Sequence, residues 1–278
     1  MVIFKILIII GLLISLSVGD VNMWRDYPTC KIGRLQSPIK IKEYESIYAN
    51  NFSFVYQNYK NCLGNKKDNY AYTIEYDEGT GGYVNFERGG VIKQYEFIRA
   101  ELYPALHEID GKKGDYELHL IHQKNLDFVT NKNQYRSIQD PNMYLVIVLR
   151  YQNCNGNGKV CTNDNGLLGK LIPNPTSINL NEYNIFQDKR AYFYEGSFLY
   201  APCDENVNYY VINDFFNSDG FNQEIINNIN DFNVTVNEQP KYGRPVLKNF
   251  MNYREFLESK FYEINIYSLF FMLVLFFL

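Results

Sequence analysis

Five stretches between residues 70 and 152 repeat one kind of pattern, and that pattern confines the chain to a sheet. YAYTIEYD (70–77), YVNFE (83–87), YEFIRAELY (95–103), YELHLIHQ (116–123) and MYLVIVLRYQ (143–152) are rich in β-branched and aromatic residues, and most of them alternate. The turn clusters DEGTGG, RGG, DGKKGD and NCNGNG punctuate them. YLVIVL does not alternate, so its strand is predicted to be buried on both faces near the middle of the sheet. Helical patterning is confined to GFNQEIINNIND (220–231) and the segment before the C-terminal tail. No internal repeat and no interdomain linker is visible. The expectation is a mostly β, single-domain protein built around a large central sheet with a few short helices.

Both ends of the 278-residue chain read as processing segments. Residues 1–19 carry Lys5, an unbroken apolar run and then Ser17, Val18 and Gly19, which suits a signal peptide cleaved just before Asp20. The apolar run is short of the roughly 20 residues that a membrane span needs. Residues 259–278 contain a second apolar run, from Ile264 to Leu278. It suits either a short membrane anchor or a glycolipid-anchor signal, and its length of about 15 residues covers only roughly 22 Å as helix. Residues 20–258 then make up one domain, expected at the extracellular face of the cell membrane. The whole chain's net charge of −4, without a basic run, argues against nucleic acid as a partner. Asn51-Phe-Ser and Asn233-Val-Thr are candidate glycosylation sites.

Five cysteines, Cys30, Cys62, Cys154, Cys161 and Cys203, are expected to be mostly paired in an exported chain. Cys154 and Cys161 flank the flexible NGNGKV and form a possible disulfide. The odd number leaves one over, and Cys62 is the candidate.

Four stretches together resemble one family. WRDYPTCKIGRLQSPIKI (24–41), YELHLIH (116–122), YFYEGSFLYAPCDENVNYYVI (192–212) and, more weakly, YGRPVLKNF (242–250) are similar in order and spacing to motifs of the alpha-type carbonic anhydrases. The resemblance covers nearly the whole of residues 20–258. It implies a central, mainly antiparallel sheet of about ten strands around a conical pocket, and a disulfide between Cys30 and Cys203. It also implies an ancestral chemistry: zinc on three imidazoles, with a bound water that ionises near neutrality.

The residues at the family's functional positions depart from that chemistry. Glu101 and Tyr103 stand where a His-x-His pair supplies the first two zinc ligands, and His119 stands at the third. Glu117 matches the acidic residue that orients the third imidazole. Leu199 and Leu106 stand at the threonine and glutamate of the hydroxide-orienting relay, Tyr200 follows Leu199, and Tyr70 stands at the proton-shuttle histidine. One imidazole, one carboxylate and one phenol with a usual pKa of about 10 make a poor zinc site. His122 lies three residues from His119 on the opposite strand face, and His107 matches a structural position, so neither completes the set.

No catalytic residue, metal or cofactor is therefore expected. Glu101 is expected to bond Tyr103 and a protonated His119. The function expected is binding of a protein or glycan at the cell surface by an inactive relative of the enzyme, with the membrane engaged through the tail or a lipid anchor. The alternative is an active zinc carbonic anhydrase that hydrates carbon dioxide to bicarbonate.

Overall fold

The computed structural model describes residue 30 and residues 33–49, 52–56, 62–67, 72–76, 82–88, 91–125, 143–152, 167, 189–200, 202–218, 239–252, 254–256 and 259–260. Thirteen strands run through them. The first five are β1 (Ile47–Tyr48), β2 (Phe52–Tyr56), β3 (Cys62–Lys67), β4 (Tyr72–Tyr76) and β5 (Tyr83–Arg88). Then come β6 (Val91–Pro104), β7 (Glu108–Ile109), β8 (Lys112–Lys113), β9 (Tyr116–Lys124) and β10 (Tyr144–Gln152). The last three are β11 (Ala191–Gly196), β12 (Val207–Asn217) and β13 (Leu247–Lys248). Helix is limited among the described residues to a 3-10 turn at Glu43–Glu45 and short helical pieces such as 254–256. The patterned segment 220–231 lies outside them.

Eleven strands form one sheet in the order β1-β13-β11-β12-β10-β9-β6-β4-β3, with β2 joined through β5 to the other half of β6's edge. All pairs are antiparallel except β1 with β13 and β10 with β12. The alternating stretches found in the sequence become β4, β5, β6, β9 and β10. The non-alternating run becomes β10, which sits mid-sheet and is buried from Leu145 to Gln152. β7 and β8 form a separate two-residue hairpin. Asp110 (φ 48°) and Gly111 (φ 77°) form its turn, the left-handed pair that an Asp-Gly turn supplies.

One irregularity decides which side chains share a face. Between β6 and β9 the register steps from Phe97↔His122 to Arg99↔Ile121, so Ile98 is an extra residue on β6. Such a bulge puts Phe97 and Arg99 on opposite faces although they are two apart. Arg99, Glu101 and Tyr103 thereby share a face with Ile121, His119 and Glu117. Phe97 and His122 share the other, where their rings meet edge-on at 5.2 Å.

The face holding His119 packs on a core of Ile39, Ile41, Ile109, Ile121, Val146, Val148, Tyr192, Tyr194, Val207, Tyr209, Val211 and Val246. Segment 33–41 closes over this core and is held by polar bonds. Ser37 N–H donates to Ser197 Oγ (3.1 Å), and Arg244 Nη2 donates to the carbonyl oxygen of Gln36 (2.7 Å). Cys30 and Cys203 are joined by a disulfide across 173 residues of sequence. A disulfide is a mark of an oxidising compartment, consistent with the secretory pathway or the outside of the cell.

Candidate functional site

The site is built on two neighbouring strands and the loop that follows β6. Across the β6–β9 ladder Glu101 faces His119 and Tyr103 faces Glu117. On the other side of β9, Val148 of β10 faces His119 and Arg150 faces Glu117. All of these side chains are almost completely buried, with Glu101 the most open at 5% exposure.

Glu117 is the hub. Its Oε1 accepts the backbone N–H groups of Leu106 (3.1 Å) and His107 (2.6 Å). Its Oε2 lies 2.8 Å from His107 Nδ1 and 3.0 Å from His119 Nε2. Burial alone would push its carboxyl up, but the two imidazoles hold it well below the usual carboxylate range. A carboxylate only accepts, so both ring nitrogens must donate to it. That fixes the tautomers. His107 donates from Nδ1 and accepts the Tyr194 hydroxyl at Nε2 (2.7 Å). His119 donates from Nε2, and burial keeps its ring from protonating by lowering its pKa. Its Nδ1 is left with a lone pair that makes no hydrogen bond among the described residues.

His107, Glu117 and His119 bring three ligand-type atoms within 4.8 Å of one another. The four hydrogen bonds converging on Glu117 already account for that closeness. The group is a hydrogen-bonded knot with both carboxylate oxygens in use.

Glu101 has a different set of partners. Its Oε2 accepts the Tyr103 hydroxyl (2.7 Å), and its Oε1 accepts Arg99 Nε (2.6 Å). The bond to Tyr103 matches the expectation from the sequence, but the second partner is Arg99 and not a protonated His119. The reason is geometric and electrostatic. Period two from Glu101 brings Arg99 onto its face, and the neutral His119 ring already donates its one N–H to Glu117. Burial, the Glu101 charge and the hydrogen bond raise the Tyr103 phenol well above its ordinary value, so it stays neutral. Burial would lower the Arg99 pKa, but Glu101 and Tyr200 outweigh it and raise it.

The network continues outward. Arg99 Nη2 donates to the Tyr200 hydroxyl, and the guanidinium lies 5.9 Å from the Phe198 ring centroid and 5.7 Å from that of Tyr200. The Phe198 and Tyr200 rings stack with centroids 5.2 Å apart. Leu106 and Leu199 pack on Tyr103 in a small apolar cluster. Tyr103 also tilts against His119 at 4.8 Å. Glu101, Tyr103, Leu106, Glu117, His119, Leu199 and Tyr200 are thus linked into one region. Tyr70, Asn51, Asn233, Cys154 and Cys161 lie outside the described residues. So do residues 1–19 and 261–278.

The sequence reading missed Arg99, Arg150, Tyr194 and Tyr209. Arg99 had a signal, since it is two residues before Glu101 on the same strand. Arg150 had none, because its register against Glu117 depends on β10 lying beside β9. Burial lowers the Arg150 pKa to about 10 against the attraction of Glu117. Its Nη1 and Nη2 donate to the carbonyl oxygens of Asn213 (3.1 Å) and Lys112 (2.6 Å). Tyr194 and Tyr209 are opposite each other on β11 and β12 and stack at 5.0 Å. His122 lies on the far face, with Nδ1 3.2 Å from the Leu145 carbonyl oxygen, and takes no part.

Residues 19–258 match the family model described as eukaryotic-type carbonic anhydrase. A carbonic anhydrase from Nostoc sp. is 24% identical over 190 residues, which cover 66% of this chain and 64% of that protein. Dioscorin dioA3 from Dioscorea japonica is 23% identical over 202 residues, covering 69% of this chain and 65% of that protein. The chain therefore spans just under two thirds of the length of these relatives. With the family match running through the strands that carry Glu101, Glu117 and His119, the chain belongs to the eukaryotic-type carbonic anhydrase family.

Proposed function

We propose that this chain is an extracellular, membrane-anchored member of the family that has lost zinc catalysis and acts by binding a protein or glycan. The observation that carries the reading is the engagement of Glu101. Both of its oxygens accept hydrogen bonds, one from Arg99 and one from Tyr103. A carboxylate held in that way, a phenol kept protonated by burial and a single imidazole do not fit a zinc ion, which needs several deprotonated donors around one point. An arginine beside that point adds a like charge. The relay positions support the same conclusion, since Leu106 and Leu199 offer no hydrogen bond to orient a nucleophilic water. The stacked and partly exposed rings of Phe198 and Tyr200, next to Arg99, offer surface for recognition.

The second reading is a working zinc enzyme that interconverts carbon dioxide and bicarbonate. The lone pair on His119 Nδ1 favours it, as does family membership. Metal analysis and carbon dioxide hydration on the purified full chain separate the two. The expected result is zinc well below one equivalent and hydration at the buffer rate. One equivalent of zinc with inhibitor-sensitive hydration would overturn the first reading in favour of the second.

A further inference from the structure

Among the described residues, six large hydrophobic side chains are exposed, and five of them belong to one end of the sheet: Tyr44 (75%), Ile47 (57%), Tyr242 (65%), Met251 (36%) and Phe256 (48%). Their segments are tied together. Ile47 and Leu247 pair where β1 joins β13, and Lys241 bridges to Glu45 at 3.5 Å. Lys248, fully buried, reaches the carbonyl oxygen of Glu43 (3.3 Å) and the carboxylate of Glu255 (2.9 Å). Glu255 in turn is locked to Asn252 by reciprocal bonds, each 2.9 Å, between side chain and backbone N–H. The turn at Glu43–Glu45, strand β13 and the residues after it therefore form one surface.

Its chemistry is mixed in a particular way. Lysines lie among the rings: Lys42 Nζ donates to the Tyr44 hydroxyl (3.1 Å), and Lys260 lies over Phe256 at 5.9 Å. Arg254 is exposed on the same stretch. Aromatic rings with polar tips and long basic side chains are the residue types that settle at the headgroup level of a bilayer.

The chain outside the described residues says what covers this surface. The apolar run Ile264–Leu278 begins four positions after Lys260. Four residues, even fully extended, reach at most about 14 Å. The headgroup layer on each side of a bilayer is about 5–8 Å thick. With the run as a short membrane anchor, the first of its two readings, the domain cannot hold its Phe256 end far from the lipid.

We infer that the β1–β13 edge of the domain is a membrane-docking surface. Tyr44, Ile47, Tyr242, Met251 and Phe256 insert at the lipid headgroup level, and the face of the sheet that carries the Arg99–Glu101 network is held in a fixed orientation to the bilayer. This rests on the membrane-anchored part of the proposed function. It adds that the domain lies on the lipid and does not swing from a tether.

The test uses the full chain in phosphatidylcholine vesicles, with a benzophenone amino acid placed singly at Tyr44, Tyr242, Phe256 or Ile92. Flotation first reports whether the chain stays with the vesicles. A chain that does not float overturns the anchored reading and this inference with it. For a chain that floats, the expected result is photo-adducts with lipid at Tyr44, Tyr242 and Phe256, at least fivefold above those at Ile92. Equal lipid labelling at all four positions, or none at the first three, overturns the docking surface and leaves the anchoring intact. Adducts between two copies of the chain at those positions also overturn it, since they would assign the surface to self-association.

Discussion

Glu101 and His119 stand directly opposite each other across the β6–β9 ladder, yet they belong to separate hydrogen-bond systems. Glu101 joins Arg99 and Tyr103, while His119 joins Glu117 and leaves Nδ1 bare. If Arg99, Glu101 and Tyr103 keep metal out, as proposed, three changes should admit it. Glu101→His and Tyr103→His supply imidazoles on the face of His119, and Arg99→Gln removes the charge that Glu101 had balanced. The triple variant is expected to retain about one equivalent of zinc after gel filtration where the unaltered chain retains little. Its hydration rate should stay near background, because Leu106 and Leu199 still provide no relay. Equal zinc in both proteins would refute the role given to these positions.

Glu117→Gln tests the hub. The amide's NH2 would be set either against both imidazole N–H groups or against the backbone N–H groups of Leu106 and His107, leaving buried donors without acceptors. Removing one member of such a buried charged network costs about 3–5 kcal/mol. A urea titration should show the midpoint falling accordingly with an unchanged slope. The acid side gives a second readout. The folded pKa of Glu117 lies below its unfolded value near 4.5, so its stabilising contribution is complete above that pH and is lost as pH falls through the folded value. The variant should lack that part of the acid-induced loss.

His122 makes a separate acid-sensitive contribution. Burial lowers its pKa to about 3 from 6.5. Below pH 6.5 the unfolded chain takes up a proton that the folded chain refuses, so stability declines from there down to about pH 3. By pH 4.5 the loss from this residue alone is about 2–3 kcal/mol. His122→Gln keeps a neutral donor for the Leu145 carbonyl and does not titrate. Urea midpoints at pH 7.5 and 4.5 should differ less for the variant than for the unaltered protein. A difference of the same size in both would remove His122 from the account.

Much of the sheet could be read from the chain because its signals are local. β4, β5, β6, β9 and β10 announce themselves by alternation or by an unbroken apolar run, and period two puts Glu101 and Tyr103 on one face. β2 and β3 were missed: FSFVY is short, and CLGNKK has little apolar pattern. The parallel pairing of β10 with β12 could not be read, because nothing near Tyr144 or Val207 specifies a partner more than 60 residues away. Ile98 gives no sign of a bulge, since no glycine marks it, yet it decides which face Phe97 takes. At the site, the shared face of Glu101 and Tyr103 was visible, while the places of Arg150, Tyr194 and Tyr209 beside it depend on strand order. The exposed end at β1–β13 was invisible for the same reason, being assembled from two stretches, 42–48 and 241–260, far apart in the sequence.

The disulfide between Cys30 and Cys203 closes a loop spanning 173 residues, and its effect should lie mainly in the unfolded chain. In the folded protein the neighbouring segment is already held without it. Gln36 Nε2 reaches Glu205 (3.0 Å), Ser37 bonds Ser197, and Arg244 bonds Gln36 and the carbonyl oxygen of Glu195. A Cys30→Ser, Cys203→Ser protein should therefore keep the native sheet, as judged by its circular dichroism, while losing about 2–5 kcal/mol of stability. The loss should appear in the urea midpoint, and adding a reductant to the unaltered protein should reproduce most of it. If the double variant instead loses its sheet signal at neutral pH without denaturant, the cross-link is holding the folded state itself, and those polar bonds are not sufficient to seat residues 33–41.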